Sequence, residues 1–388
     1  GRLKKLRKKI MKKFDVHVCL VSDQAIPNFV PVVDKEFRPK EVVLLVTDKM
    51  KAKAEILAKI MRERCAVGVR LLNVADAYDM TQVGEQVFAL LCDEDKEQVA
   101  LNVTGGTKLM AIAAYGMFKD AGYPSFYFTD NSNEIILLDS NERLPALQPP
   151  KIKIEDYLSL HGYPACDSLQ KTVSHPQWLE FGEELVRFHM NFEDELGALN
   201  FEISKAVKEN KQTLECAVPK GRNARNMGQL LCLLKSHDLA VQKNGKLKFA
   251  DLDARQYVGG SWFEDYVFQT AKSLPGVQDI ALNVQIENVD AKTHQNNELD
   301  VVLLINNVLH VLECKTANFT RSEAKAEEAL YKLESLKKLG GLRTKAMLLS
   351  YRELLPTSRD RANGAKISLI ERKDLKGMKT LLEKWTHG

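Results

Sequence analysis

Between residues 16 and 140, short apolar runs alternate with helical patterns, and this alternation narrows the fold more than any other feature of the chain. The runs are Val16–Val21, Val42–Val46, Val69–Val74, Val99–Val103, Phe126–Phe128 and Ile135–Leu138, with helical spacing over Lys51–Arg64, Met80–Leu91 and Leu109–Ala121. Strands that are apolar on both faces and joined by helices require a mostly parallel sheet covered on both sides. Polar residues gather just past the strand ends, at Ser22, Asp23 and Gln24 and again at Thr104, Gly105, Gly106, Thr107 and Lys108. In a doubly wound sheet those carboxyl ends form the ligand crevice. In the second group two glycines allow close backbone approach, and the helix that follows at once presents free N–H groups to an anion. The same residues would equally make a tight strand-to-helix turn with a surface lysine. The turn is neither a Walker A loop nor GxGxxG, so a nucleoside triphosphate or NAD site is not supported.

At 388 residues the chain is long enough for two or three domains of ~100–200 residues each. Its 45% hydrophobic and 28% charged residues exclude a largely disordered or fibrous protein. No apolar run is long enough to span a bilayer, and no signal-peptide stretch opens the chain, so no membrane association and a cytoplasmic location are expected. The seven cysteines are scattered and never spaced CxxC, which predicts reduced thiols rather than a disulfide framework or zinc ribbon. The net charge of +4 misleads, because residues 1–13 carry eight basic and no acidic side chains. Without them the balance is 48 basic against 52 acidic. Met11 is expected as a natural start, which would make residues 1–10 an upstream extension. After Glu313 there are 17 basic and 9 acidic residues, so a polyanion is favoured there.

The proline-rich stretch Leu144–Pro150 reads as a boundary. Beyond it, Met227–Leu234 suits a buried helix, and Leu239–Gln242 and Lys246–Phe249 flank the hairpin signal Asn244-Gly245. Helix followed by hairpin suggests a winged-helix arrangement, locally basic through Lys220, Arg222, Arg225, Lys243, Lys246 and Lys248. A DNA-reading role requires that helix to expose a polar face. Its residues are mostly apolar, which favours a structural connector.

Residues 297–315 carry the chemistry. Two apolar runs surround Asn306-Asn307, predicting a hairpin with a two-residue loop. In that register Ile305 faces Val308, Asp300 faces Glu313 and Glu298 faces Lys315, with Asp300, Glu313 and Lys315 on one face. Charges in central strands are costly, and two opposed carboxylates repel each other. A divalent cation between them removes that penalty, and hard oxygen donors suit Mg²⁺ or Mn²⁺ rather than zinc. The competing reading leaves these charges in solvent at frayed strand ends. His310 and Cys314 have the opposite parity and are expected in the core.

Two stretches resemble known families. VCLVSDQAIPNFVPVV followed by NVTGGTKLMAIAAY resembles the CARF domain, the sensor module of CRISPR-associated accessory effectors. The resemblance implies a Rossmann-like homodimer that binds a cyclic oligoadenylate, expected as cyclic tetra-adenylate, across its two-fold axis. It makes Ser22, Asp23, Gln24 and Thr104 to Lys108 the ligand-contact candidates. Residues 256–388 resemble the PD-(D/E)xK nucleases, with Asp300, Glu313 and Lys315 at the matching positions and Leu299 where the usual proline stands. Gly259-Gly260-Ser261-Trp262-Phe263-Glu264 matches the helix before the catalytic hairpin, making Glu264 an auxiliary metal ligand. Helical Ser322–Leu339 and strand-like Lys345–Ser350 would complete that domain.

The expected architecture is therefore α/β throughout: a basic extension at 1–13, a CARF sensor at 14–150, a connector at 151–255 and a restriction-endonuclease-like domain at 256–388. The conjunction implies a Mg²⁺- or Mn²⁺-dependent nuclease of type III CRISPR defence, activated by cyclic oligoadenylate and cutting single-stranded RNA, DNA or both. The rival reading is a ligand-responsive transcription regulator that binds DNA through the middle region.

Overall fold

The computed structural model describes residues 13–95, 98–148, 151–287, 297–316, 323–337 and 344–388. Of the expected basic extension, 1–12 lie outside the described residues, as do Pro149, Pro150 and both ends of the helix expected at Ser322–Leu339. The chain divides into two compact units. The first holds the described residues up to Pro164 together with Glu287; the second holds Ala165–Ile286 and the described residues from Asn297 onward.

Unit one contains strands β1 (Val16–Leu20), β2 (Glu41–Thr47), β3 (Gly68–Val74), β4 (Val99–Asn102), β5 (Ser125–Thr129), β6 (Glu134–Leu137) and β7 (Glu142–Arg143). Its helices are α1 (Ile26–Val33), α2 (Lys51–Cys65), α3 (Met80–Leu91), α4 (Lys108–Ala121) and α5 (Ile154–Leu160). The strand order is β3-β2-β1-β4-β5-β6-β7. The first five are parallel, with β1, β2 and β4 buried on both faces as their apolar runs require and β3 largely exposed at the edge; β6 pairs antiparallel to β5 and β7 antiparallel to β6. The order reverses between β1 and β4, which pair through Val18–Leu101 and Cys19–Asn102. This is the topological switch point where such sheets open a crevice. Helix α1 escapes pattern reading because Pro27 and Pro31 sit within its eight residues, and β7 and α5 are likewise not read from the sequence.

Unit two begins with α6 (Leu179–Arg187) and α7 (His189–Glu209), then β8 (Glu215–Ala217), α8 (Ala224–Ser236), β9 (Ala240–Lys243), β10 (Lys246–Phe249) and α9 (Leu252–Gln256). It continues with α10 (Trp262–Lys272), β11 (Val277–Ile286), β12 (Asn297–Ile305), β13 (Val308–Lys315), α11 (Glu323–Leu336), β14 (Lys345–Ser350), α12 (Pro356–Gly364), β15 (Ser368–Glu371) and α13 (Met378–His387). Strands β8, β10 and β9 form one small sheet, and β11-β12-β13-β14-β15 form a second. In the second, β11, β12 and β13 are antiparallel, whereas β14 and β15 join parallel. The β12–β13 loop is the two-residue turn that the sequence predicts, with Asn306 and Asn307 at φ 50° and 56°.

The division of the middle region differs from the expected connector. Trp178 and Phe181 of the first helical stretch, Leu199 of α7, Leu230 and Leu234 of α8 and Phe249 of β10 share one hydrophobic core with Trp262, Phe263, Val301 and Leu312. Residues 165–255 are part of the C-terminal unit because their apolar side chains are buried against its sheet and helices. They are not a free-standing hinge.

Unit one buries one histidine without a polar partner. His17 lies on β1 with its ring centroid 5.0 Å from Phe37 and 5.1 Å from Phe126, and neither ring nitrogen finds a hydrogen bond. Burial lowers its pKa from the ordinary 6.5 to about 3. The folded state therefore binds its proton more weakly than the unfolded chain, so stability is retained above pH 6.5 and falls as pH drops toward 3. Acidification from neutrality to pH 5 should cost unit one roughly 2 kcal/mol from this group. Denaturant melts of the wild type and His17→Phe at both pH values check this. The variant should lose that part of the pH dependence.

Candidate functional site

The structure brings the two polar motifs of unit one together, since their parent strands β1 and β4 are neighbours at the switch point. A buried asparagine pair fixes the junction. Pro31 has no N–H to give the Pro27 carbonyl one turn earlier, and Asn102 Nδ2 donates to that carbonyl instead, at 3.0 Å. Asn28 Nδ2 donates to the Leu20 carbonyl at 2.7 Å, at the end of β1. Asn102 Oδ1 accepts from the Thr104 N–H and hydroxyl at 3.1 and 2.7 Å. Thr104 Oγ1 in turn accepts from the Phe128 N–H at 2.8 Å.

The glycines are needed by the protein itself. A Cβ at Gly105 would stand 2.2 Å from the Leu20 carbonyl oxygen, and Gly106 has φ 76° with its Cβ direction blocked by Leu20. Thr107 caps α4 by accepting from the Met110 N–H at 3.1 Å while its hydroxyl donates to the Ala77 carbonyl at 3.0 Å. Of the Thr104–Lys108 group, Lys108 is the exposed charge, at the first turn of α4. Across the crevice Ser22 and Gln24 close a local turn, and Asp23 is paired to Lys53 at 2.6 Å.

In unit two the predicted register holds where the strands pair: Val301 opposes Leu312, and Ile305 opposes Val308. Beyond Val301 the ladder stops, and the Cys314 N–H donates to Asp300 Oδ2 at 2.8 Å. Glu298 does not face Lys315. It is exposed and accepts from Gln285 of β11 at 2.6 Å, while Lys315 pairs along β14 with Ser350.

Asp300 and Glu313 are only 4% and 1% exposed, so the frayed-end reading fails. Lys315 Nζ lies 2.7 Å from Glu313 and 3.7 Å from Asp300. A second cation, Lys332 of α11, reaches both Glu313 oxygens at 2.9 and 2.7 Å and Asp300 at 4.0 Å. Burial, then the Glu313 charge, raises Asp300 to about 6. Burial alone would depress the Lys315 ammonium, but the two carboxylates outweigh it and hold the pKa above the ordinary lysine value.

Glu264 enters from the first turn of α10. The turn before it brings Gly260 beside the end of β13, where a Cβ would meet Thr316 Oγ1 at 3.5 Å. Burial first and Asp300 second push Glu264 up to about 8. His310 and Cys314 face the core: the imidazole packs on Trp385 with ring centroids 5.0 Å apart, and the Cys314 thiol is buried. Among the described residues, no three His, Cys, Asp or Glu side chains are grouped as an ion would need. The donors that do converge, Asp300 and Glu313, are hard oxygens whose charge Lys315 and Lys332 balance, a set that suits Mg²⁺ or Mn²⁺.

The family model for the Card1 CARF domain matches residues 16–157, and that for the Card1-like endonuclease domain matches residues 251–388. The chain is a CARF-domain nuclease. Protein VC1899 from Vibrio cholerae is similar at 26% identity over 95% of this chain and 97% of its own, with a TM-score of 0.82. Can2 from Sulfobacillus thermosulfidooxidans, solved in complex with cyclic tetra-adenylate, is similar at 26% identity over 96% and 99%, with a TM-score of 0.77. A type III CRISPR defence DNA nuclease activated by cyclic oligoadenylate shares the fold at 19% identity, over 88% of this chain and 46% of its own, with a TM-score of 0.51. Comparison with curated proteins returns no match. No helix among the described residues of this CARF-domain nuclease is long and apolar enough to cross a membrane.

Sequence reasoning missed Lys332, Asn28 and the structural use of Asn102. Lys332 lies on a mixed-charge helix that reads as a solvated surface, and no spacing links it to residue 313. Pro31 four residues after Pro27 is the one readable hint of an orphan carbonyl. Removing Lys332 leaves two buried carboxylates with one cation. Lys332→Ala should therefore lose about 1–2 kcal/mol of stability in EDTA, the lysine being partly exposed. Millimolar Mn²⁺ should restore most of it. Thermal melts with and without the ion measure both, and an unshifted melting temperature in EDTA contradicts the assigned charge balance.

Proposed function

We propose that this CARF-domain nuclease is a metal-dependent phosphodiesterase of type III CRISPR antiviral defence, switched on by cyclic tetra-adenylate. Single-stranded RNA, DNA or both are the expected substrates. The convergence of Asp300, Glu313 and Lys315 at one end of β12 and β13 carries this reading. Asp300 and Glu313 would hold Mg²⁺ or Mn²⁺, with Glu264 as an additional or outer ligand. A bound divalent ion supplies Lewis acidity, neutralising the scissile phosphate and making water a better nucleophile. The chain's own groups do the positioning. The Cys314 N–H holds Asp300 Oδ2, which lies 3.7 Å from Lys315, while Oδ1 is 4.0 Å from Lys332. Lys315 remains protonated across the working pH range, so it acts as a fixed positive charge that orients water or stabilises charge on the phosphate. Lys332 offers a second positive charge to the same centre.

Asp300→Ala and Glu313→Ala should each lower cleavage by at least ~10³-fold while remaining folded, a loss of the size expected when a group that stabilises transition-state charge is removed. Assays in EDTA and in Mn²⁺, with and without cyclic tetra-adenylate, decide the matter. Near-normal activity in both variants would rule out this site. Sequence-specific duplex binding without any metal-dependent cleavage would favour the regulator reading, against which the two buried carboxylates sharing Lys315 count.

The activator is assigned to the crevice between the Ser22–Gln24 turn and the start of α4. Lys108 and the unpaired N–H groups of the first helical turn suit phosphate, and Asp23 suits a hydroxyl or amino donor. A ring with repeated symmetry needs matching turns on two sides, which one copy cannot supply, so the active species is a homodimer. Ile112, one turn beyond Lys108, is 57% exposed, and Tyr78, next to the carbonyl that Thr107 bonds, is 71% exposed. Apolar side chains left bare beside the crevice support burial against a second copy. Lys108→Ala should weaken activator binding by about tenfold, on the order expected for one charged hydrogen bond to phosphate. Mn²⁺ binding at Asp300 and Glu313 should persist. Titration calorimetry with each ligand separates the two effects, and a liganded monomer in sedimentation would contradict the shared site.

A further inference from the structure

The middle of unit two folds as helix, strand, helix and two-stranded wing: α7, β8, α8 and then β9–β10, with the sheet order β8-β10-β9. The wing turn is Asn244-Gly245, both at positive φ. The apolar residues of α8 that argue for a plain connector, Met227, Leu230, Leu233 and Leu234, all point into the core. Arg225, Gly228, Gln229, Cys232 and Lys235 point out. The condition set by the sequence for a nucleic-acid-reading helix, an exposed polar face, is therefore met.

The wing adds charge on its outer surface. Lys246 opposes Lys243 across the ladder and Lys248 opposes Val241, so the three lysines share the face away from buried Leu247 and Phe249. From Lys211 to Lys248 the sequence carries eight basic and two acidic residues, and all eight are exposed. Arg222 pairs with Asp194 at 3.0 Å and Lys246 with Glu215 at 3.4 Å; Arg225, Lys235, Lys243 and Lys248 have no carboxylate at ion-pair distance among the described residues. Like charges crowded on a small sheet repel each other, a cost that a polyanion would remove. A groove of about 700 Å³ runs along the same face of α8, lined by Arg225, Gly228, Gln229 and Ser236, by Phe188, which is 43% exposed, and by Glu184, which His237 meets at 3.4 Å.

We propose that the outer face of α8 and the wing form a docking site for duplex DNA. Helix α8 enters the major groove, and Lys243, Lys246 and Lys248 lie on the flanking phosphates. An α-helix fits that groove; the small residues Gly228 and Cys232 permit close approach, and the Gln229 amide can hydrogen-bond base edges. Lysine contacts to phosphate hold the register without reading sequence. DNA held here raises the local concentration of the adjoining strand at the nuclease centre. That last step rests on the nuclease reading; the binding itself does not.

The test is fluorescence anisotropy with a labelled duplex of about 20 base pairs and its separate strand, in EDTA, from ~50 to ~200 mM salt. Without metal no cleavage is needed, so binding is scored whether or not the nuclease assignment stands. The duplex should bind more tightly than the strand. Lys243→Ala/Lys246→Ala/Lys248→Ala should weaken duplex binding at least ~10-fold and flatten the salt slope by about one unit per lost contact. Arg225→Ala/Gln229→Ala tests the helix face independently and should also weaken it. All five side chains are exposed, so melting temperatures should stay at the wild-type value. Preference for the single strand, or unchanged affinity and slope in both variants, overturns the proposal.

Discussion

Two carboxylates buried within reach of one another are the constraint around which the C-terminal unit is arranged. Charges in an apolar sheet are costly without compensation, and burial followed by the Glu313 charge raises the pKa of Asp300. Lys315 supplies one compensating charge from the same strand as Glu313. Lys332 supplies the other from a helix that packs against β13 and β14. The Cys314 N–H takes up the Asp300 oxygen at the point where the β12–β13 ladder opens. Such a cluster is worth little as a stabilising device, because packed apolar residues of similar volume would serve folding as well or better. Its charges make sense as a site.

The N-terminal unit obeys a different constraint, that of backbone groups left without partners. Pro31 takes an N–H out of α1, and the opened strand ends of β1 and β4 expose carbonyls. Asn28 and Asn102 fill these vacancies and thereby set the position of the Thr104–Lys108 turn against Leu20. Gly105 and Gly106 are glycines because Leu20 leaves no room for a Cβ. Much of the motif that looks like a ligand cradle is thus occupied in building the crevice. Lys108 and the exposed start of α4 are what it presents outward.

Legibility followed the range of the interaction. The register of the β12–β13 hairpin could be read because Asn306-Asn307 fixes the turn and a two-residue period does the rest; it failed at Glu298, beyond Val301, where the ladder ends and the Cys314 N–H turns to the Asp300 side chain, an exchange that turn and period do not record. The strands of unit one were readable from two-sided apolar runs, while α1 was hidden by its prolines. The middle region was misjudged for the same reason. Counting apolar residues in Met227–Leu234 describes the helix as a whole, yet its buried and exposed faces are decided by what it packs against.

The sequence by itself determined the classes of element, the parallel sheet of unit one, the turn between β12 and β13, and the gathering of Asp300, Glu313 and Lys315 at one place. These depend on neighbours a few residues apart, where periodicity and turn chemistry act directly. Only the tertiary structure decided that Lys332 completes the charge balance, that Asn28 and Asn102 hold the crevice, and that residues 165–255 fold into the nuclease core. Each of those joins groups separated by many residues, through contacts whose geometry exists only after the chain has packed.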